Sequence, residues 1–232
     1  RLLDTTLSTR IGDHQQSFGT IEHLLSAVRG LQVDNLEVWL TGPELPILDG
    51  TAGAWCRLLR AAQLQPQEAL RQTLVIDRSM RVTAGDSWIE ARPATALQLD
   101  LCIDFDHPLI GLQRLEWSAA VGDYGADLAW ARTFGFEREL GRLRGLGLIA
   151  GGSLDNAVVF SESGVLNRGG LRSPDEPVRH KAMDMLGDLA LLGHPVRGRL
   201  VAHRPGHAIV STLVRTLLDE PEAWHLESAA GS

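Results

Sequence analysis

The stretch "VRHKAMDMLGDL", from Val178 to Leu189, carries two patterns at once. Its apolar residues recur at intervals of three and four, which predicts an amphipathic helix. His180, Asp184 and Asp188 recur at every fourth residue, so their side chains share one stripe of that helix. A histidine and a carboxylate at this spacing can bind one metal ion. The stretch therefore predicts a helix that supplies part of a metal site, although Asp188 alone is also typical of a solvated acid.

Bulk composition narrows the classes of function. The chain has 232 residues, of which 44% are hydrophobic and 22% charged, as in globular proteins. Its net charge is −7 with no run of lysines and arginines, which argues against a nucleic-acid partner. Two cysteines are too few for a disulfide framework and fit a reducing compartment. With neither a membrane-length apolar run nor a signal peptide, we expect a cytoplasmic protein without a membrane span. We also expect a monomer.

Helical and strand patterns follow one another along the chain and predict an α+β fold. Apolar periodicity predicts helices at 19–31, with Thr20 as N-cap, at 54–64, and at 127–147, with an interruption near Gly135. Alternation predicts strands at 35–40, 73–85, 87–94, 96–108, 155–160 and 199–214. A segment at 65–72 with few apolar residues is the predicted linker. We therefore divide the chain into residues 1–70 and 71–232.

Single histidines are more often ordinary surface or core residues than ligands. We interpret five of the eight histidines in this way: His14, His107, His194, His203 and His225. His23 differs because Glu22 precedes it, and a glutamate beside a metal-binding histidine is a common arrangement in hydrolases. Together with His180 and Asp184, His23 would leave a fourth metal position open for water. His207, in a turn that contains glycine and proline, is either a further candidate or an ordinary loop residue.

Eight stretches of the sequence resemble the UDP-3-O-acyl-N-acetylglucosamine deacetylases, the LpxC family, in the family's order. They are "TIEHLLSA", "DNLEVWLTGPELPILDGTAG", "FDHPLIG", "ARTFGF", "GGSLDNAVV", "VLNRGGLR", "DEPVRHKAMDMLGDLALLG" and "PGHA". The resemblance runs from Asp4 nearly to the C-terminus. It implies a zinc hydrolase that acts on a UDP-linked acylated glucosamine in the committed step of lipid A synthesis in Gram-negative bacteria.

The resemblance assigns a role to each residue that matches a family motif. It makes His23, His180 and Asp184 the ligands of Zn²⁺. Glu22 would be the general base that activates the attacking water. Thr133, in "ARTFGF", would help to stabilise the oxyanion.

A second group of matching residues would serve the leaving group and the substrate. His207 would be the charged histidine that protonates the leaving amine, and Asp188 would hold it in orientation. Lys181 resembles the family's active-site lysine, and Phe134 resembles the aromatic residue that packs on the substrate. Arg204 stands where the family usually has a lysine near the diphosphate. A guanidinium still binds phosphate there, with a different geometry.

The apolar stretch "LGLIAGGSLDNAVVF" at 146–160 has two interpretations. By resemblance it would form the hydrophobic passage for the acyl chain, with four residues as candidate lining: Leu140, Ile149, Gly152 and Val159. The pattern of the residues alone favours a helix–turn–strand segment of the core.

The chain departs from the family at its start. Family members begin with further strands before the "DTT" segment, whereas this sequence begins at Arg1, which we interpret as a processed, trimmed or partial chain. The implied fold is α+β with two similar domains, each a sheet layered with helices, the active site between them and the first domain incomplete. "GHAIVS" also lacks the asparagine that usually follows GHA in the family.

Two functions from different classes stay open. The first is zinc-dependent removal of the N-acetyl group, with release of acetate. The second is a non-catalytic remnant of the family that binds metal or nucleotide. The complete set of Glu22, His180, Asp184 and His207 favours the enzyme. A generic zinc peptidase is less favoured because the HExxH spacing is absent.

Overall fold

The computed structural model describes residues 1–13 and 15–229, and its architecture is α+β, as predicted. His14 lies outside the described residues, so its interpretation stays a prediction. The helices are α1 Glu22–Gly30, α2 Ala52–Ala61, α3 Tyr124–Asp127, α4 Glu137–Gly145, α5 Glu176–Leu189 and α6 His207–Asp219. The strands are β1 Leu2–Asp4, β2 Arg10–Gly12, β3 Ser17–Phe18, β4 Gln72–Ile76, β5 Met80–Ala84, β6 Ser87–Arg92, β7 Leu97–Phe105, β8 Gly111–Ser118, β9 Phe134–Phe136, β10 Val158–Phe160, β11 Val196–His203 and β12 Trp224–Ser228.

No helix within the described ranges has both the length and the apolar character needed to cross a bilayer.

β11 organises the large sheet, which has seven strands. It pairs in parallel with β7, antiparallel with β6 and, through its first residues, in parallel with β4. β5 and β8 extend this sheet beyond β6 and β7, and β12 pairs with β4. β1, β2 and β3 form a separate small sheet, and β9 pairs in parallel with β10. The division into domains at residues 70 and 71 stays a prediction.

α5 is the central helix of the fold. Alternate residues of β11 are buried, so one face of the sheet is covered, and α5 packs against β7 and β8 while α6 packs against β5 and β6. On its other side α5 packs against α1. Twelve of its fourteen residues are buried, and these include His180, Asp184 and Asp188 as well as the apolar stripe. The polar stripe predicted from the sequence therefore faces into the protein.

α1 and α5 approach each other most closely at Gly187. A Cβ at this position would lie 2.0 Å from the carbonyl oxygen of Glu22, far inside a van der Waals contact. Only a residue without a side chain allows this approach. The contact brings Glu22 and His23, at the start of α1, beside Asp184 and Asp188, which flank Gly187 along α5.

The predicted strand at 35–40 is wrong, whereas the helix predicted at 127–147 is confirmed in its interruption near Gly135 but not in its full length. Residues 35–40 alternate, but no strand of the described chain pairs with them, and Trp39 is 86% exposed. The predicted helix at 127–147 is helical only at its start, where α3 ends, and in α4. Between them lies β9, because Phe134 and Phe136 belong to a buried aromatic cluster with Phe160 of β10.

The strand predicted at 199–214 is half right, since the turn at Pro205 and Gly206 ends β11 and α6 begins at His207. The segment predicted as one strand at 73–85 forms both β4 and β5. The patterns missed five further strands in the described part of the chain: β1, β2, β3, β8 and β12. Thr20 is not the N-cap of α1. Its backbone is left-handed, with φ of 57°, and its hydroxyl donates to Glu44, so α1 begins after Ile21 without a side-chain cap.

The close contact at Gly187 predicts an unusual response to alanine. A glycine inside a helix normally gains up to about 1 kcal/mol of stability on replacement by alanine. Gly187→Ala should instead lower the free energy of unfolding by about 1–3 kcal/mol, because the new methyl group pushes α1 away from α5. Urea denaturation measures this difference.

Gly141→Ala is the matched control, since Gly141 lies inside α4 and a Cβ there meets nothing within 4 Å. This control should be as stable as the parent or more stable. Equal stability of the two alanine variants would contradict the argument for Gly187.

Candidate active site

Three buried side chains from two helices that are far apart in the sequence come together where α1 meets α5. One ligand atom each from His23, His180 and Asp184 lies within 4.8 Å of the other two. Asp184 Oδ1 lies 3.6 Å from His23 Nε2 and 3.3 Å from His180 Nε2. Two donors bound to one tetrahedral ion at about 2.0–2.1 Å lie roughly 3.4 Å apart. The cluster thus has the spacing of a metal site.

The hydrogen bonding of the cluster also fits a metal ion. Asp184 Oδ1 is buried and, within the described part of the chain, accepts no hydrogen bond, which is costly unless a cation satisfies it. The Nδ1–H of His180 donates to the carbonyl of Ala131 at 3.2 Å, which leaves the Nε2 lone pair facing Asp184. Burial, only partly offset by the Asp184 carboxylate, lowers the pKa of His180 to about 3. The ring is therefore neutral at physiological pH, as a ligand must be.

Lys181 balances the charge of Asp184. Its Nζ donates to Asp184 Oδ2 at 2.8 Å, on the side away from the histidines. Burial opposes the ionisation of Asp184, but the Lys181 ammonium and the charged His207 hold the pKa of the carboxyl well below its usual range. Burial likewise works against the charge of Lys181, and the Asp184 carboxylate outweighs it and raises the pKa of the lysine. Both groups are therefore ionised.

Glu22 adjoins the cluster and has the properties of a general base. It is the first residue of α1, directly before His23, and it is 3% exposed. Burial raises its pKa, and the positive charge of His207 offsets only part of that rise. A carboxylate with a pKa closer to neutral accepts a proton from water more effectively.

His207 and Asp188 form a second pair beside Asp184, in which Asp188 is buried and His207 is partly buried. The Nδ1–H of His207 donates to Asp188 Oδ2 at 2.7 Å, and Nε2 lies 4.0 Å from Asp184 Oδ2. Burial would lower the pKa of His207, but the Asp188 carboxylate outweighs burial and raises it to about 9. His207 is therefore charged at neutral pH. Asp188 recurs on the ligand stripe of α5 because it holds this histidine.

Thr9 was missed by sequence reasoning, yet it touches both halves of the site. Its backbone N–H donates to Glu22 Oε2 at 2.9 Å, and its hydroxyl donates to Asp188 Oδ1 at 2.5 Å. The hydroxyl also lies 3.4 Å from His207 Nδ1. The polar, threonine-rich start of the chain has no spacing that could have distinguished this residue.

Phe134 lies beside the ligand residues of α5, and Thr133 precedes it in the chain. The N–H of Thr133 donates to Gly50 at 2.8 Å, and its carbonyl accepts from Val158, which fixes the segment after Ala131. The Phe134 ring centre is 6.2 Å from that of His180 and 5.7 Å from Lys181 Nζ. The structure thus gathers Phe134 and the start of this segment around the cluster.

The remaining predicted substrate residues lie in other surroundings. Arg204 has a left-handed backbone, with φ of 50°, and forms an exposed ion pair with Asp86 at 3.7 Å. Leu140 is half-buried on α4, and two residues lie in the loop that follows: Ile149 and Gly152. Val159 is buried in β10, which fits the interpretation of this stretch as part of the core at that residue. Three leucines of this region are exposed: Leu146, Leu148 and Leu154.

The histidines interpreted as ordinary have ordinary contacts where the structure describes them. His107 is buried, its Nδ1 accepts from the N–H of Leu109 and its Nε2–H donates to the Ser161 carbonyl at 2.6 Å. Three others lie outside the cluster: His203 stacks on Trp88, His225 pairs with Asp77 in an exposed position, and His194 lines a separate cavity.

The fold and this site define the class of the protein: an α+β protein with a candidate metal centre of the kind that hydrolases use. The comparisons with known proteins agree. The family model described as LpxC, UDP-3-O-acyl N-acetylglycosamine deacetylase, matches residues 1–219. The chain belongs to this family.

Relatives with the name UDP-3-O-acyl-N-acetylglucosamine deacetylase match nearly the whole chain. The protein of Acidithiobacillus ferrooxidans is 44% identical over 225 residues, which are 96% of this chain and 74% of that protein. The protein of Myxococcus xanthus is 41% identical over 228 residues, 98% of this chain and 73% of that protein. The protein of Psychrobacter arcticus is 43% identical over 219 residues, 94% of this chain and 68% of that protein.

The His207–Asp188 pair predicts a stability that depends on pH. Because the folded-state pKa of His207 is about 9, above the ordinary value of 6.5, the pair stabilises the protein fully below about pH 6.5. This contribution is lost as the pH rises through 9. Asp188→Asn should lower the pKa of His207 and abolish most of this dependence. NMR titration of His207 in the metal-free protein, with urea unfolding at pH 6 and pH 10, measures both effects.

Asp77→Asn is the matched control, because it removes the exposed partner of His225, whose ring lies 2.7 Å away. An exposed pair contributes at most about 1 kcal/mol, and the titration of His207 should not change. An unchanged pKa of His207 in Asp188→Asn would contradict the assigned pairing.

Proposed function

We propose that the protein hydrolyses the N-acetyl group of UDP-3-O-acyl-N-acetylglucosamine, with Zn²⁺ as cofactor and acetate as a product. The observation that carries the proposal is that a buried base, Glu22, and a partly buried charged acid, His207, adjoin one His–His–Asp cluster. The names of the relatives supply the substrate. In the resembled family this reaction is the committed step of lipid A biosynthesis.

His23, His180 and Asp184 would hold the zinc ion. When bound, the ion supplies a Lewis acid that polarises the acetyl carbonyl and makes water more acidic. The neutral His180 ring and the ionised Asp184 are ready for binding without prior loss of a proton. The Ala131 carbonyl keeps His180 in the tautomer that presents Nε2.

The proton transfers fall to the chain's own residues. Glu22 takes a proton from the attacking water as the new C–O bond forms. The Thr133 hydroxyl donates to the oxyanion that develops on the carbonyl oxygen. His207 then gives its proton to the sugar nitrogen as the C–N bond breaks, so the amine leaves neutral together with acetic acid, which ionises to acetate. Glu22 afterwards loses its proton to solvent and His207 takes one up, which restores both groups. Asp188 keeps His207 charged until that transfer.

Substrate binding would use residues around the cluster. Lys181 places a positive charge near the ligands, and the Phe134 ring beside it offers an apolar face to the sugar. Arg204, three residues before His207, would bind the diphosphate after leaving its exposed pair with Asp86. The acyl chain would lie along the apolar segment after α4, for which the candidate lining is Leu140, Ile149, Gly152 and Val159.

Acetate release from the UDP-linked substrate tests the proposal directly. The parent protein should release acetate, a chelator should abolish the release, and added Zn²⁺ should restore it. Binding of Zn²⁺ without any acetate release would favour the alternative, a non-catalytic remnant that binds metal or nucleotide. The intact set of ligands, base and acid argues against that alternative.

Glu22→Gln tests the role of the base. The amide keeps the shape of the side chain but cannot accept the proton, so the rate of acetate release should fall by roughly 10²–10⁴-fold. The zinc content of the purified variant should equal that of the parent, because Glu22 is outside the ligand set.

Glu137→Gln is the matched control, since Glu137 is also the first residue of its helix but is exposed. It should keep the activity of the parent. Loss of zinc from Glu22→Gln would show that Glu22 is a ligand, and full activity would remove it from the mechanism.

A further inference from the structure

We propose that Thr9 is a positioning residue that holds the base and the acid of the site in one fixed arrangement. Its backbone N–H would orient Glu22, and its hydroxyl would orient Asp188 and, through Asp188, His207. The proposal rests on the proposed deacetylation and adds to it a residue from the start of the chain.

The contacts of Thr9 are complete and buried. Thr9 is 1% exposed. Its N–H donates to Glu22 Oε2 at 2.9 Å, and its carbonyl accepts from the N–H of Ile21 at 3.4 Å. Thr9 is therefore fixed against the residues that begin α1. Its hydroxyl reaches α5, where it donates to Asp188 Oδ1 at 2.5 Å.

The hydroxyl limits the rotation of the Asp188 carboxylate. Oδ2 of Asp188 accepts from His207 Nδ1–H, and Oδ1 accepts from Thr9. A carboxylate with a partner on only one oxygen can turn about its terminal bond, whereas partners on both oxygens fix its plane. The direction in which His207 presents its other nitrogen, Nε2, follows from that plane.

Threonine suits this position better than a more flexible residue. Its branched Cβ restricts the first side-chain torsion, so the hydroxyl has few alternative directions. Since the same residue touches Glu22 through its backbone, a shift of Thr9 would move base and acid together. A catalytic arrangement needs this kind of support, because small misplacements of reacting groups are costly.

Two substitutions separate the hydroxyl from everything else at this position. Thr9→Val keeps the shape and the backbone N–H to Glu22 but removes the hydroxyl. Thr9→Ser keeps the hydroxyl. We expect Thr9→Val to lower kcat about 10- to 100-fold, as for the loss of a hydrogen bond to a buried charge. KM and zinc content should stay unchanged, and Thr9→Ser should recover most of kcat.

A double substitution tests whether Thr9 acts through Asp188. Thr9→Val should cost no further activity when it is added to Asp188→Asn, because the carboxylate that it orients is already gone. Independent, multiplicative losses would overturn the proposal. Equal losses of kcat in Thr9→Ser and Thr9→Val would overturn it as well.

An NMR readout on the metal-free full chain does not depend on the reaction. The Nδ1–H proton of His207, hydrogen-bonded to Asp188, should change its chemical shift in Thr9→Val and keep it in Thr9→Ser. An unchanged signal in both variants would overturn the proposal. If the parent releases no acetate while this signal shifts only in Thr9→Val, the proposed function fails and the positioning role of Thr9 stands.

Discussion

The backbone contact between Gly187 and Glu22 is the constraint on which the site depends. α1 supplies one ligand and the base, and α5 supplies two ligands and the partner of the acid. Neither helix alone has three ligands. Because Gly187 has no side chain, the two helices lie close enough for one ion to be shared between them. The sheet around β11 holds α5 in place, and the polar stripe of α5 is buried there.

Because the site is buried, each charge in it interacts more strongly with its neighbours than it would in water. Asp184, Asp188 and Glu22 are buried carboxylates, and Lys181 and His207 are the cations beside them. Such a network is stable only when each member keeps its partners, since a buried charge left alone is expensive. Asp184 Oδ1 is an atom still without a partner among the described residues, and it faces both histidines. The electrostatics and the geometry therefore indicate the same position for a cation.

The sequence predicted the parts of the site that depend on local spacing. The apolar spacing predicted the helix α5. Because a helix fixes which residues share a face, the four-residue repeat then predicted that His180, Asp184 and Asp188 lie together. The sequence could not predict that residues 35–40 would lack a neighbouring strand, because an alternating pattern carries no information about which strand would pair with it. Nor could it find Thr9, whose contacts arise only when the start of the chain folds against α1 and α5. The family resemblance supplied His207, which its turn alone left ambiguous.

The distance along the chain between α1 and α5 has a consequence for folding. Contacts between residues remote in sequence require the closure of a long loop. The chain loses the entropy of that loop before it gains any interaction energy from the contact. His23 and His180 lie in helices that most of the chain separates, so their contact carries this cost. Tight metal binding should therefore belong to the native state and stabilise it against the unfolded chain. Tight binding of an ion at this site should therefore require the folded chain. A bound ion would connect the first third of the chain to the last third as a reversible crosslink.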